Sequence, residues 1–277
     1  MNLIDCFMYY DEDLLLDIRL NVLDKFVKKF VICEATYNHN GSPKKINFDI
    51  NKFKKFEDKI IFLKLEEQPD NLRKINKIND NKKNSKILDN ALLRENFQRN
   101  FLINGIKDAS PEDLIILSDS DEIPDLRKLH KINKDKKYIA FSQKMYMYKI
   151  NIQNIEESNW IGSKITKKKY IKSMQLLRNL KFKNYPFWRL DKRDLQIIEG
   201  GWHFSYLQSP EEILNKIKSF SHGEFNDGSI SEKEIEEKIL KNEDIFNRGF
   251  TLKKTEIDES YPNYIIQNKS KYSKWII

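Results

Sequence analysis

Solid apolar runs and stretches of helical period take turns along the first part of the chain. Leu3–Met8 reads as a strand, and a helix is expected from about Asp11, where Leu15, Ile18, Val22 and Leu23 fall near helical spacing. Phe30–Ala35 (FVICEA) predicts a buried strand that ends in the polar loop TYNHNGSPKK, and Lys59–Leu65 predicts a third. The polar stretch Asp70–Ser85 reads as a mobile surface loop, followed by a long helix over Lys86–Ile106. Asp113–Leu117 (DLIIL) is short and wholly apolar after its first residue, as an inner parallel strand is. Further strands are expected at Tyr138–Gln143, Met145–Ile152 and Ile197–Leu207, the last broken by Gly200 and Gly201. The Lys-rich stretch around Trp160 and Gly162 reads as irregular. Ser209-Pro210-Glu211-Glu212 opens one helix, and Ser231 with Glu234 opens another that is expected to reach about Phe246. The tail from Phe250 is expected to add a hairpin. This alternation predicts an α/β fold whose central, mostly parallel sheet is flanked by helices, in one domain over 1–277.

Composition narrows the class. With 39% hydrophobic and 33% charged residues, the 277-residue chain is a globular protein with a heavily charged surface. Its net charge of +8 invites a nucleic-acid partner, but 42 acidic residues are interspersed with the basic ones, so no nucleic acid is expected. Contact with an anionic membrane surface stays open. Two cysteines, Cys6 and Cys33, make neither a disulfide framework nor a zinc cluster. The start of the chain carries acids where a signal peptide needs an apolar run, and no stretch is long enough to span a membrane. A cytoplasmic protein is therefore expected.

The densest chemistry is Leu117-Ser118-Asp119-Ser120-Asp121-Glu122-Ile123-Pro124. An apolar strand delivers three carboxylates at its C-terminal end, where open α/β sheets bind their ligands. A tight turn can aim Asp119 and Asp121 at one point, as Mg²⁺ or Mn²⁺ requires. The alternative is an acidic loop that caps a helix after Pro124. A second cluster is Glu199-Gly200-Gly201-Trp202-His203. There Trp202 and Tyr206 could stack on a sugar or a base, His203 could complete the metal shell, and Glu199 could act as general base, with Glu122 as second choice. His222 is a rival metal or phosphate ligand, while His39 and His130 sit in polar, exposed surroundings with no role. On the helix before the acidic turn, Arg94, Glu95 and Arg99 make either an ordinary surface ion pair or a group that orients a ligand beside the turn.

Taken in order, DCFMYYDEDLLLDIRLNVL, KFVICEATYNHNGSPK, RENFQRN, DLIILSDSDEIP, the Trp160–Gly162 W-x-G and GGWHFSYLQSPEEILNKIKSFSHGEF resemble glycosyltransferase family 17. The resemblance implies a GT-A-type nucleotide-sugar fold, with a nucleotide-sugar half over 1–135 and an acceptor half over 136–277. It also implies a UDP-N-acetylglucosamine-like donor, a divalent metal and inversion at the anomeric carbon. Carried over by position, Asp119 and Asp121 correspond to the donor-metal motif, and Asp5 and Glu34 to part of the nucleotide pocket. Arg94, Glu95 and Arg99 match the polar helix before the motif. The expected acceptor is a carbohydrate, such as a surface polysaccharide or a lipid-linked glycan. Two other readings stand beside this one. A metal-dependent phosphohydrolase would also use Asp-X-Asp, although Glu122 and Ile123 replace the Gly and Thr or Val that phosphatases of the haloacid type carry there. A non-catalytic basic module for glycans or nucleic acid would not need Asp121.

Overall fold

The strands that read as solid apolar runs are those covered on both sides. In the computed structural model, β1 (Leu3–Met8), β2 (Lys29–Ala35), β3 (Ile60–Leu65) and β4 (Leu114–Ser118) lie side by side in the order β3-β2-β1-β4, all parallel. Leu3 and Phe7, Phe30 and Ile32, and Ile116 pack on one face against α1 (Asp13–Leu23). Ile4 and Cys6, Val31 and Cys33, and Ile115 and Leu117 fill the other face. Leu102 and Ile106 cover that second face from a 3₁₀ turn just after α2 (Lys83–Phe101). Because successive strand residues point to opposite faces, a strand buried on both sides needs apolar residues throughout. The structure describes residues 1–75, 83–156, 159–183, 185–186, 188–189, 192–219 and 230–277.

The same sheet continues unbroken into the second half of the chain. It adds β5 (Glu122–Pro124), β6 (Tyr138–Met147), β7 (Ile152–Asn154), β8 (Trp160–Lys167), β9 (Leu195–Ser205) and β10 (Leu252–Lys254), reaching ten strands. β3, β2, β1, β4, β6, β9 and β10 run in one direction, and β8, β7 and β5 run against it. The short helix α3 (Met174–Asn179) adds Met174 and Leu177 to the second face of the sheet. α4 (Pro210–Ser219) and α5 (Glu232–Leu240) cover Met145, Met147 and Ile152, and α6 (Asn263–Gln267) returns to pack beside α1. Both expected helix starts carry reciprocal caps. Ser209 N–H donates to Glu212 at 2.7 Å, and Ser231 N–H donates to Glu234 at 2.8 Å. The chain is thus the expected α/β protein, with a large central sheet flanked by helices. Among the described residues no helix is long and apolar enough to cross a membrane.

Several elements differ from the sequence expectation. The Lys-rich stretch from Trp160 is not irregular: it is β8, antiparallel to both β4 and β6. Its lysines hid the pattern, because Lys164 is buried and its ammonium bonds the carbonyls of Arg178 and Leu180 at the end of α3. Residues 138–147 form one strand with register shifts instead of two strands. The tail strand β10 pairs with β7, not with a hairpin partner of its own. α5 stops at Leu240, and α3 was not expected. The expected loop over 70–85 falls partly outside the described residues, and α2 already begins at Lys83.

One pairing decides where the site forms. β5 lies antiparallel to β9, with Glu122 opposite His203 and Pro124 opposite Gly201. Gly201 has φ +117°, and a Cβ there would stand 2.6 Å from the Ile123 carbonyl oxygen and 3.0 Å from Pro124 Cα. Gly201→Ala is expected to lower stability by about 1–3 kcal/mol from the backbone conformation alone, with the clash adding to it. A urea midpoint indistinguishable from the wild type would contradict this account of the β5–β9 junction.

Candidate active site

The acidic turn is built around Glu122, whose side chain is fully buried. Its Oε1 accepts from Trp160 Nε1 at 2.7 Å and Arg178 Nη2 at 2.9 Å, and its Oε2 accepts from the Asp119 N–H and Arg178 Nη1, both at 3.0 Å. The Glu122 N–H closes the turn onto the Asp119 carbonyl at 3.1 Å. Beneath it Arg19, also fully buried, donates to the carbonyls of Glu122 (2.6 Å) and Asp119 (3.2 Å) while its Nε and Nη2 hold Asp5 at 2.7 and 2.6 Å. Buried charges persist only when paired and hydrogen-bonded, and here every one is. The helix-capping alternative does not describe this turn. Asp125, not Asp119 or Asp121, caps the 3₁₀ turn at Leu126–Lys131 by accepting from the Arg127 N–H.

The β5–β9 pairing brings the two sequence clusters together. The Phe204 N–H donates to the Asp121 carbonyl at 2.9 Å, and His203 Nε2 stands 3.3 Å from Asp121 Oδ2. The Trp160 ring packs on the His203 imidazole with centroids 4.8 Å apart. Burial opposes ionisation of both partners, but their mutual attraction wins. Asp121 is held down at about 2, and His203 is raised above its ordinary 6.5. Asp121 keeps 19% of its side chain exposed, toward a cleft. Two neighbouring ligands of a divalent ion at about 2.1 Å lie roughly 3 Å apart, so this pair fits one edge of a Mg²⁺ or Mn²⁺ shell. Among the described residues no three His, Cys, Asp or Glu side chains cluster to hold an ion by themselves. Such an ion would draw its remaining ligands from water and a phosphate, as these ions commonly do.

The cleft opens at the carboxyl ends of β1, β2 and β4. Tyr9 and Tyr10 follow β1, Tyr37, Asn38 and His39 follow β2, and Asp119–Asp121 follow β4. Lys44, Arg99 and Lys216 also line it. Arg99 bonds Glu95 at 2.7 Å and stands 3.3 Å from Asp119, so the polar face of α2 does meet the acidic turn. Asp119 is further neutralised by Arg178 at 2.6 Å.

Other expected site residues lie elsewhere. Asp5 is beneath the turn on Arg19. Glu34 is fully buried, bracing the following loop by accepting from the Asn47 and Phe48 N–H groups and from Lys44. Arg94 braces that loop from outside, on Gln68 at 2.7 Å and the His39 carbonyl at 3.2 Å. Trp202 cannot stack on a ligand of this cleft. It faces the core beside Phe204 and Ile198, and its Nε1 donates to the Ser260 carbonyl at 3.1 Å. Glu199 is exposed and does not line the cleft, since the strand carries it up to about 13 Å from His203. Glu122, with both oxygens engaged, is a brace and not a poised base. His222 lies outside the described residues.

His39 corrects the reading in the opposite direction, because it is half-buried in the cleft with Nε2 3.2 Å from Gln98 Oε1. Arg19, Arg178, Lys44 and Lys216 were not singled out from the sequence at all.

The cleft at the strand ends, walled by an Asp-X-Asp turn and cationic side chains, belongs to a glycosyltransferase, as the family comparison shows. The chain belongs to glycosyltransferase family 17, whose model matches residues 1–273. No protein of curated function is significantly similar to it in sequence. Among solved structures it is similar to HddC from Yersinia pseudotuberculosis, at 9% identity over 74% of this chain and 91% of that one, TM-score 0.35. It is also similar to a putative glucose-1-phosphate thymidylyltransferase from Bacillus anthracis, at 11% identity over 72% and 88%, TM-score 0.35. The inositol-1-phosphate CTP transferase from T. maritima matches at 12% identity over 79% and 96%, TM-score 0.36.

Proposed function

We propose that the cleft binds a UDP-sugar, of the N-acetylglucosamine type, together with Mn²⁺ or Mg²⁺. The sugar is then passed with inversion to a hydroxyl of a carbohydrate acceptor, either a polysaccharide or a lipid-linked glycan. The observation that carries this reading is Asp121 on the wall of a cleft at the strand ends, with buried His203 3.3 Å behind its carboxylate. A divalent ion held there would neutralise the diphosphate and make it a better leaving group. Around it, Lys44, Arg99 and Lys216 offer positive charge to the phosphates, and Tyr10, Tyr37 and His39 offer ring surfaces to a base or sugar. Lys216 keeps its charge despite burial, because Glu12 at 3.0 Å and Asp121 outweigh the desolvation.

Thermal unfolding tests the donor class. UDP-N-acetylglucosamine with Mn²⁺ is expected to raise the melting temperature, with GDP-mannose and CMP-sialic acid giving no rise and EDTA reversing the effect. A ligand at 100 times its Kd adds about 2.7 kcal/mol, a shift that is easily read. No response to any uridine nucleotide, with or without metal, would sink the reading.

A further inference from the structure

Inverting transfer needs a base at the acceptor side of the cleft, and most of its carboxylates are already committed. Glu122 has both oxygens occupied. Asp119 sits between Arg178 and Arg99, and Asp121 faces His203. Glu12 accepts from the Tyr10 and Asp11 N–H groups and from Lys216. Glu95 carries the Arg99 guanidinium at 2.7 Å.

Asp11 is the exception. It lies between Tyr10 and Glu12, which both line the cleft, in the turn that joins β1 to α1, and is itself half-buried. Gln208, just after β9, donates its Nε2 to Asp11 Oδ1 at 3.1 Å. Among the described residues no hydrogen bond is made to Oδ2. One oxygen is thus oriented by the second half of the chain, and the other is left to accept a proton. Lys216 links this carboxylate to the acidic turn, since its charge acts on both Asp11 and Asp121.

Resting on the transfer reading above, we propose that Asp11 is the general base that deprotonates the acceptor hydroxyl. Asp11 Oδ2 takes the proton from the acceptor O–H. The oxygen's electron pair forms the new bond to the anomeric carbon, and the bond from that carbon to the diphosphate oxygen breaks, its electrons leaving with UDP. Asp11 then returns its proton to solvent. Its titration suits the task. Burial, with Glu12 and Glu212 adding to it and Lys216 and Lys44 opposing, lifts the carboxyl to about 7. A base is most effective when its pKa lies near working pH.

The test uses UDP release from UDP-N-acetylglucosamine with Mn²⁺, water serving as acceptor. In the wild type, kcat is expected to rise with pH to a plateau above about 7. Asp11→Asn is expected to lower kcat by roughly 10²–10⁴-fold and to flatten that rise, with the nucleotide-induced melting shift unchanged. Formate is expected to restore part of the rate to Asp11→Ala, which a merely structural role would not allow. Asp11→Asn with near-normal kcat and the same pH profile overturns the assignment, as does loss of the pH limb in Glu95→Gln instead. A wild-type protein that binds no uridine nucleotide overturns the transfer reading itself, an outcome visible before any variant is made.

Discussion

Asp121→Asn is expected to remove UDP-sugar turnover, by about 10³-fold or more, while leaving the fold in place. The size follows from the several kcal/mol that a metal contributes to a charged leaving group, at 1.36 kcal/mol per factor of ten. The fold survives because the turn is tied to β9 through backbone, by Phe204 N–H to the Asp121 carbonyl, and to the core through Glu122 and Arg19. The substitution also frees His203. Without the Asp121 carboxylate, burial becomes the main influence on the imidazole and favours its neutral form.

The pH dependence of the pair has a definite sign. Asp121 titrates at about 2 in the fold against an ordinary 3.8, so its contribution to stability is complete above 3.8 and fades as pH falls toward 2. His203 is raised, so its contribution is complete below 6.5 and is lost as pH climbs through the raised value. A metal bound by His203 would have to displace its proton, so on the proposed function Mn²⁺ is expected to stabilise the wild type more at pH 8.5 than at pH 6. Melting curves for wild type and Asp121→Asn with and without Mn²⁺ check both points. A variant that still responds to Mn²⁺ and turns over its donor would remove the metal from the account.

What the sequence disclosed, and what it concealed, follows from how each signal is carried. β1, β2 and β4 were legible because two-sided burial writes itself as a nearly continuous apolar run, interrupted within it only by Asp5 in β1 and Glu34 in β2. The Asp-X-Asp turn stood out because three acids directly follow such a run, although one of them, Glu122, proved to be a buried brace. Contacts between distant positions left no local trace. Nothing near Glu122 points to Trp160 or Arg178, which bond it from 38 and 56 residues away. Two clues were present but outweighed. Adjacent residues on a strand face opposite ways, so Trp202 and His203 could not both line one cleft. Asp5 is a lone charge within the apolar run of β1, and Arg19 falls between Ile18 and Leu20 on the neighbouring helix, a pattern that asks for a partner. His39 was hidden by its setting, since Asn38, Asn40, Gly41 and Ser42 make its segment look like bare surface.

Arg19→Ala is expected to be the most damaging single change to stability. Arg19 and Asp5 both have fully buried side chains, and the guanidinium also satisfies two carbonyls of the acidic turn. Removing it strands a carboxylate and two acceptors without water or a partner, which for a broken buried pair costs about 3–5 kcal/mol. In a chain of this size that corresponds to a fall in melting temperature of roughly 10 °C. Asp5→Leu combined with Arg19→Met removes both charges and refills the space, so it is expected to be markedly more stable than Arg19→Ala. Even so, the double variant loses the two bonds to the turn. It is therefore expected to recover much of its melting temperature but not its response to UDP-N-acetylglucosamine and Mn²⁺. Full recovery of both would mean that Arg19 serves the core alone. Recovery of stability with ligand response still impaired identifies Arg19 as the link by which the buried face of α1 sets the position of Asp119 and Asp121.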